Sequence, residues 1–305
     1  MARQFHNQPE ESHQHRFLVD LWSEVKRGTG GALDVSVHAS NAGVAGSDPR
    51  VLEMVAAGEV EFATMMGPLI AAHVPAAEIQ GVPFAFRTSG QVHAAMDGAL
   101  GEHLRAEMSA RGLYLLRTLE NGMRHVCSVQ REVRTPDDLA GYRIRVPAAR
   151  IYGELFEALG ATPVAVNIDG LYAALEDKRV DGHENPLAIT EVNRLYEVTR
   201  SISLTGHAWS GFNLLSNVRY WNTLSAPIQD IVHRAVKKHV ARQREYTLAL
   251  NAELEGKLES RGMKIVRVDA PVFRARVGRQ WYRRWRERCG TTAWRLLEAT
   301  AGTLD

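Results

Sequence analysis

Hydrophobic and polar positions alternate between two periods along most of the chain. From Ser12 to Arg27, Phe17, Leu18, Leu21, Trp22 and Val25 recur at helical spacing, and Gly28, Gly30 and Gly31 end the run. Leu33 to Ser40 alternates as a strand does. Ser47 or Asp48 then caps a short helix, with Pro49 in its first turn. A strand is predicted from Val60 to Gly67, a helix from Gly90 to Arg111, and a strand from Leu113 to Asn121. The second part repeats the order. It has a strand at Tyr142 to Pro147, a helix at Ala149 to Leu159 closed by Gly160, and a strand at Ala161 to Val166. A helix capped by Asp169 and a short strand at Val180 to Gly182 follow.

Two segments share one layout. Leu52 to Met65 and Leu171 to Asn185 each read as helix, tight polar turn, then valine-acid opening a strand. Two α/β units of similar build follow from this. Between Pro227 and Gly256 there is neither Gly nor Pro, and Ile228, Ile231, Val232, Ala235, Val236, Val240, Leu250, Leu254 and Leu258 fall near one face. A helix over Ser225 to Arg261 would be about 50 Å long at 1.5 Å per residue, enough to run across both units.

Composition narrows the class without choosing a ligand. The chain has 305 residues, 45% hydrophobic and 24% charged, which fits a folded chain with a sizeable core. A net charge of +2 gives no reason to expect nucleic-acid binding. The two cysteines, Cys127 and Cys289, form neither a disulfide framework nor a metal pattern. No apolar run approaches the ~20 residues of a membrane span, and the first residues lack the apolar core of a leader. Either a cytoplasmic protein or a mature form with its leader removed fits.

The stretch Val180-Asp181-Gly182-His183-Glu184-Asn185-Pro186 holds the densest chemistry. The zinc-protease pattern needs a second histidine on the same helix face. Leu187 stands where that histidine would be, and Pro186 bars a helix interior. The stretch reads better as a strand end turning into a helix, with Asn185 as N-cap and Pro186 at the first helical position. Such junctions are where α/β sheets bind ligands. Nucleophile-elbow, phosphate-loop and dinucleotide motifs are absent, so no cofactor or metal is expected. His13 and His15 have no further ligand nearby, and the arginines of Arg274 to Cys289 read as the solvated side of a helix that docks Trp281 and Trp285. Arg145, between Ile144 and Val146, and Arg124, after Asn121-Gly122, need anions; each serves either a structural ion pair or a bound carboxylate.

The chain resembles the solute-binding receptors of TRAP transporters, the DctP type. The resemblance runs from His6-Asn7-Gln8-Pro9 to Phe273. It rests on Gly46-Ser47-Asp48-Pro49, Asn121-Gly122-Met123-Arg124, Asp138-Leu139-Ala140-Gly141 leading to Arg145-Val146-Pro147, the Val180–Pro186 stretch, and Leu204-Thr205-Gly206-His207. It implies an α/β, two-lobed periplasmic binding protein fold with crossing strands and a long helix spanning both lobes. Lobe I would take residues 1–122 and 210–250, and lobe II residues 123–209 and 251–305. The implied function is a periplasmic, monomeric, non-enzymatic receptor for a small organic acid anion, working with TRAP membrane permease subunits and no nucleic acid. Arg145 would clamp the carboxylate, with Asn185 as partner and Arg124 as a second arginine. Asn7, Gln8, Met66, Ile168 and Trp209 would complete the ligand-binding set. The chain departs from the family at Ile168, where an aromatic is common, at Gly170 in place of glutamate, at His183 in place of glutamine, and at Cys127-Ser128 in place of Thr-Asn. Two other readings compete: an enzyme using Glu184 and His183 as acid and base on a carboxylate substrate, and a ligand-sensing module for a signalling partner.

Overall fold

The computed structural model describes residues 1–304. The chain opens with β1 (Ala2–His6), α1 (His13–Gly28), β2 (Val35–His38), α2 (Ser47–Ala57), β3 (Phe62–Met66), α3 (Gly67–Ile70), α4 (Ser89–Asp97) and α5 (Ala99–Ser109). Next come β4 (Leu113–Ser128), β5 (Arg143–Val146), α6 (Arg150–Ala158), β6 (Thr162–Ala165), α7 (Leu171–Glu176), β7 (Gly182–Asn185) and α8 (Leu187–Val192). The remainder is β8 (Ser201–Asn217), α9 (Val218–Thr223), α10 (Ala226–Ser260), β9 (Lys264–Val266), α11 (Ala270–Val277), α12 (Arg279–Cys289) and α13 (Thr291–Ala301).

Local rules account for most of these boundaries. Ser12 caps α1 by accepting from the His15 amide at 3.1 Å, satisfying a donor the helix leaves free. The single helix expected from Gly90 to Arg111 is two helices. Gly98 is extended (φ −102°, ψ −153°) and ends α4 while opening α5. A side chain there would also press on the Ala94 carbonyl, 2.6 Å from an added Cβ. The strand expected at Val180–Gly182 begins later and runs through Asn185. Asn185 is therefore a strand residue, and Pro186 takes the N-cap position of α8.

One sheet carries the strand order β2-β1-β3-β8-β4-β7-β5-β6, with β9 alongside β8. β4 and β8 have 16 and 17 residues, and they join the β1–β3 side to the β5–β7 side. Their antiparallel ladder is interrupted between Leu115 and Arg117, Glu120 and Gly122, and Arg124 and Val126. Both faces of β8 are covered almost throughout, so its sequence shows no alternation. The 35-residue helix α10 packs against α1 and β4 and, further along, against α8 and β9, so it spans both halves. Cys127 and Cys289 are free and buried. Trp281 and Trp285 are buried and stacked with ring centroids 5.4 Å apart, while Arg283, Arg284 and Arg286 are exposed. One boundary needs correction. Residues 251–305 were expected wholly with the second lobe, but α13 packs on α4 and α5, and α12 on the turn at Pro75–Gly81.

Candidate functional site

The strand ends and links of the two halves converge on one cavity. It is lined by Asn7, Gln8, Asp48, Met66, Leu69, Asn121, Arg124, Arg145, Pro147, Ala148, Asn167, Ile168, Asn185, Ile189 and Phe212. Asn7 and Gln8 follow β1, Met66 ends β3, and Arg145 and Asn185 lie on β5 and β7. Across its mouth, Asn167 Nδ2 donates to the Gly46 carbonyl at 3.4 Å.

The two arginines differ in what surrounds them. Arg124 is fully engaged: Nε donates to Glu184 Oε2, and Nη2 to Glu184 Oε1 at 2.7 Å and to the Glu184 carbonyl at 2.8 Å. Nη2 also reaches Asn185 Oδ1 at 3.2 Å, and Nη1 reaches Ser210 Oγ at 3.2 Å. Its guanidinium lies 4.9 Å from the Tyr152 ring centroid. Burial alone would raise the Glu184 carboxyl, but Arg124 and a bond from His207 hold it at about 2. Arg145 is 2% exposed, and its one hydrogen-bond partner among the described residues is the Val166 carbonyl, which accepts from Nε at 2.7 Å. Burial lowers its guanidinium to about 10, with only partial relief from Glu184. A buried cation without a carboxylate partner is costly and is a strong anion ligand.

Acceptors gather elsewhere on the lining. Asp48 is buried and accepts from Asn41 Nδ2 at 2.9 Å and Asn7 Nδ2 at 2.7 Å. Burial still pushes its carboxyl up. Asn7 Oδ1 accepts from Gln8 Nε2 at 2.8 Å, and Gln8 Oε1 is buried without a partner among the described residues. The cavity thus carries donors at Arg145 and acceptors at Asp48 and Gln8.

Seven of the candidate residues (Asn7, Gln8, Met66, Arg124, Arg145, Ile168 and Asn185) come together here. Trp209, expected as a wall, does not. Its indole Nε1 donates to Glu120 Oε1 at 2.7 Å within the crossing strands, and Phe212 lines the cavity instead. Arg124, expected beside a ligand carboxylate, has its charge neutralised by Glu184. Sequence reading missed Asp48, Asn121, Asn167 and Phe212 as cavity residues. Asp48 was read only as a possible cap, although an acid paired with two amides in space leaves no local signature.

Residues 5–285 match family 7 of the bacterial extracellular solute-binding proteins, DctP. The chain belongs to this family. An uncharacterized protein of Sinorhizobium fredii, y4mM, is 31% identical over 220 residues, 72% of this chain but 40% of that longer protein. The 2,3-diketo-L-gulonate-binding periplasmic protein YiaO of Escherichia coli is 26% identical over 248 residues, 81% of this chain and 73% of its relative. A TRAP periplasmic solute-binding protein of Polaromonas, solved with bound D-erythronate, is 27% identical with a TM-score of 0.92, and the match covers 98% of both chains. Two-lobed TRAP receptors thus share the fold of this DctP-family chain.

Buried neutral histidines give the molecule an acid-sensitive profile. His6 and His183 are fully buried, and burial lowers each to about 3, His6 with help from His15 and His38 and His183 with help from Arg145. Between about pH 6.5 and 3 the unfolded chain binds protons at these positions that the folded chain does not. Stability therefore falls as pH drops through that window, by roughly 2 kcal/mol per histidine at pH 5. Urea unfolding at pH 7 and pH 5 checks this; equal midpoints would contradict it.

Proposed function

We propose that this chain is the extracytoplasmic receptor of a TRAP-type transporter and captures a hydroxylated monocarboxylate for membrane permease subunits. The observation that carries the reading is Arg145, a buried guanidinium with no carboxylate partner among the described residues. A ligand carboxylate would accept its free N–H groups in two parallel bonds. Asp48 and Gln8 Oε1 supply acceptors on the same lining, which suits ligand hydroxyls. Arg124, already neutralised by Glu184, offers no second unpaired charge for a dicarboxylate. The D-erythronate of the Polaromonas relative and the 2,3-diketo-L-gulonate of YiaO are acids of this class. Closure of the two halves over the ligand would exclude water and strengthen each of these bonds.

The rival acid–base enzyme is disfavoured by the state of its residues. A general acid or base works best with a pKa near the working pH. Glu184 is held at about 2 and His183 at about 3, and Glu184 is bound by Arg124. Thermal shift assays with D-erythronate, 2,3-diketo-L-gulonate and succinate test the proposal. The two hydroxy acids are expected to raise the melting temperature more than succinate does. A shift with succinate alone would overturn the monocarboxylate reading, and turnover of a bound acid would overturn the receptor reading.

A further inference from the structure

His183 sits beside Arg145 in the β5–β7 ladder, two residues before Asn185 on the same strand. The amide of Asn185 has two neighbours. Its Oδ1 lies 3.2 Å from Arg124 Nη2 and its Nδ2 lies 3.1 Å from His183 Nδ1. A guanidinium has only donors, so the amide atom facing Arg124 must be the oxygen. The nitrogen then faces His183, and His183 Nδ1 must accept. A neutral ring that accepts at Nδ1 carries its proton on Nε2. His183 Nε2 is buried with no protein partner among the described residues, so the bond to Asn185 alone selects this tautomer. Burial beside Arg145 keeps the ring neutral, so Nδ1 remains an acceptor.

We propose that His183 is a positioning residue that locks the Asn185 amide as a hydrogen-bond donor to the bound ligand. One N–H of Asn185 Nδ2 goes to His183, and the other has no acceptor among the described residues and is available at the cavity Asn185 lines. Arg124 and His183 fix the two ends of the amide, so it cannot turn its oxygen toward the ligand. With Arg145 on the neighbouring strand, this makes one wall of the site a pure donor surface, matched to the carboxylate end of the ligand. A histidine suits this role because a buried neutral imidazole can offer an acceptor nitrogen without adding a charge beside Arg145.

The inference rests on the receptor reading for its ligand but not for its hydrogen bond, and two measurements separate them. Nitrogen NMR on protein labelled with 15N-histidine, without ligand, is expected to show His183 with its proton on Nε2 and none on Nδ1. A proton on Nδ1 overturns the proposal. Calorimetry with D-erythronate then compares the unaltered protein with His183→Leu, which has no acceptor, and His183→Gln, whose side-chain oxygen can accept the same bond. Affinity is expected to drop about tenfold in His183→Leu and to recover most of that loss in His183→Gln. Equal affinity in His183→Leu and the unaltered protein overturns the positioning role. If D-erythronate fails to bind the unaltered protein, the ligand reading is at fault, while the tautomer still decides the hydrogen bond. If His183→Leu does not fold, the tautomer and the His183→Gln affinity carry the test.

Discussion

Replacing Arg145 with Met is expected to abolish capture of a hydroxy acid while making the empty protein more stable. Both effects come from the same imbalance. In the empty protein a charged, buried guanidinium has a single carbonyl as partner among the described residues. Burial lowers it from 12.5 to about 10, which corresponds to roughly 3 kcal/mol held against the charged state. Methionine fills much of the same space with no charge to desolvate, so that cost disappears. The ligand loses its counterion. Removing one member of a buried, hydrogen-bonded charge pair costs about 2–5 kcal/mol of binding, or on the order of a hundredfold or more in affinity. Calorimetry and thermal melts on one preparation check both effects. Weaker binding together with lower stability would mean that Arg145 holds the fold rather than the ligand.

Arg124 is expected to behave in the opposite way. Its charge is already matched, so Arg124→Met leaves Glu184 as an unpaired buried carboxylate, with His207 Nε2 at 3.1 Å as its remaining side-chain donor. Glu184→Gln conversely strands the Arg124 guanidinium. Breaking a buried pair from one side costs about 3–5 kcal/mol, a large part of the 5–15 kcal/mol that folded domains commonly have. The Arg124→Met, Glu184→Gln double variant removes both charges and is expected to recover most of that loss. Guanidinium unfolding of the four proteins at pH 7 measures the coupling. Single-variant losses that simply add in the double variant would show that the two side chains act independently.

The contrast between these arginines marks where sequence reading stops. Arg145 stands out in the sequence as a cation in need of an anion because it sits between two apolar strand residues ahead of a proline. Arg124, after Asn121-Gly122, leaves the same choice between ion pair and ligand open. Its neutralising partner lies 60 positions away, brought close by the antiparallel register in which Val126 opposes Glu184. That register is tertiary information. The fold shows a similar division. Capped and glycine-stopped helices such as α1 and the long α10 were readable from spacing. The crossing strands were readable only in part: Leu113 to Asn121 reads as a strand, but β4 continues to Ser128 through Glu120, Asn121 and Arg124, and β8, covered on both faces, shows no alternation. The first strand, Ala2–His6, is buried at four of its five positions and mixes polar with apolar residues, so it shows no alternation.

The position of β8 has a consequence for dissection of the molecule. Its later residues, Phe212 to Ser216, pair with β3, while its first residues, Ser201 to Ser203, lie between β4 and β9. A strand made after β5, β6 and β7 therefore completes the side of the sheet that begins with β1. No single cut in the backbone separates the chain into two self-sufficient pieces: a fragment ending before β8 leaves β3 with a bare edge, and a fragment starting at β8 keeps only β9 beside that strand and lacks β3 and β4. Complementary fragments would have to be co-expressed and reassemble around this strand.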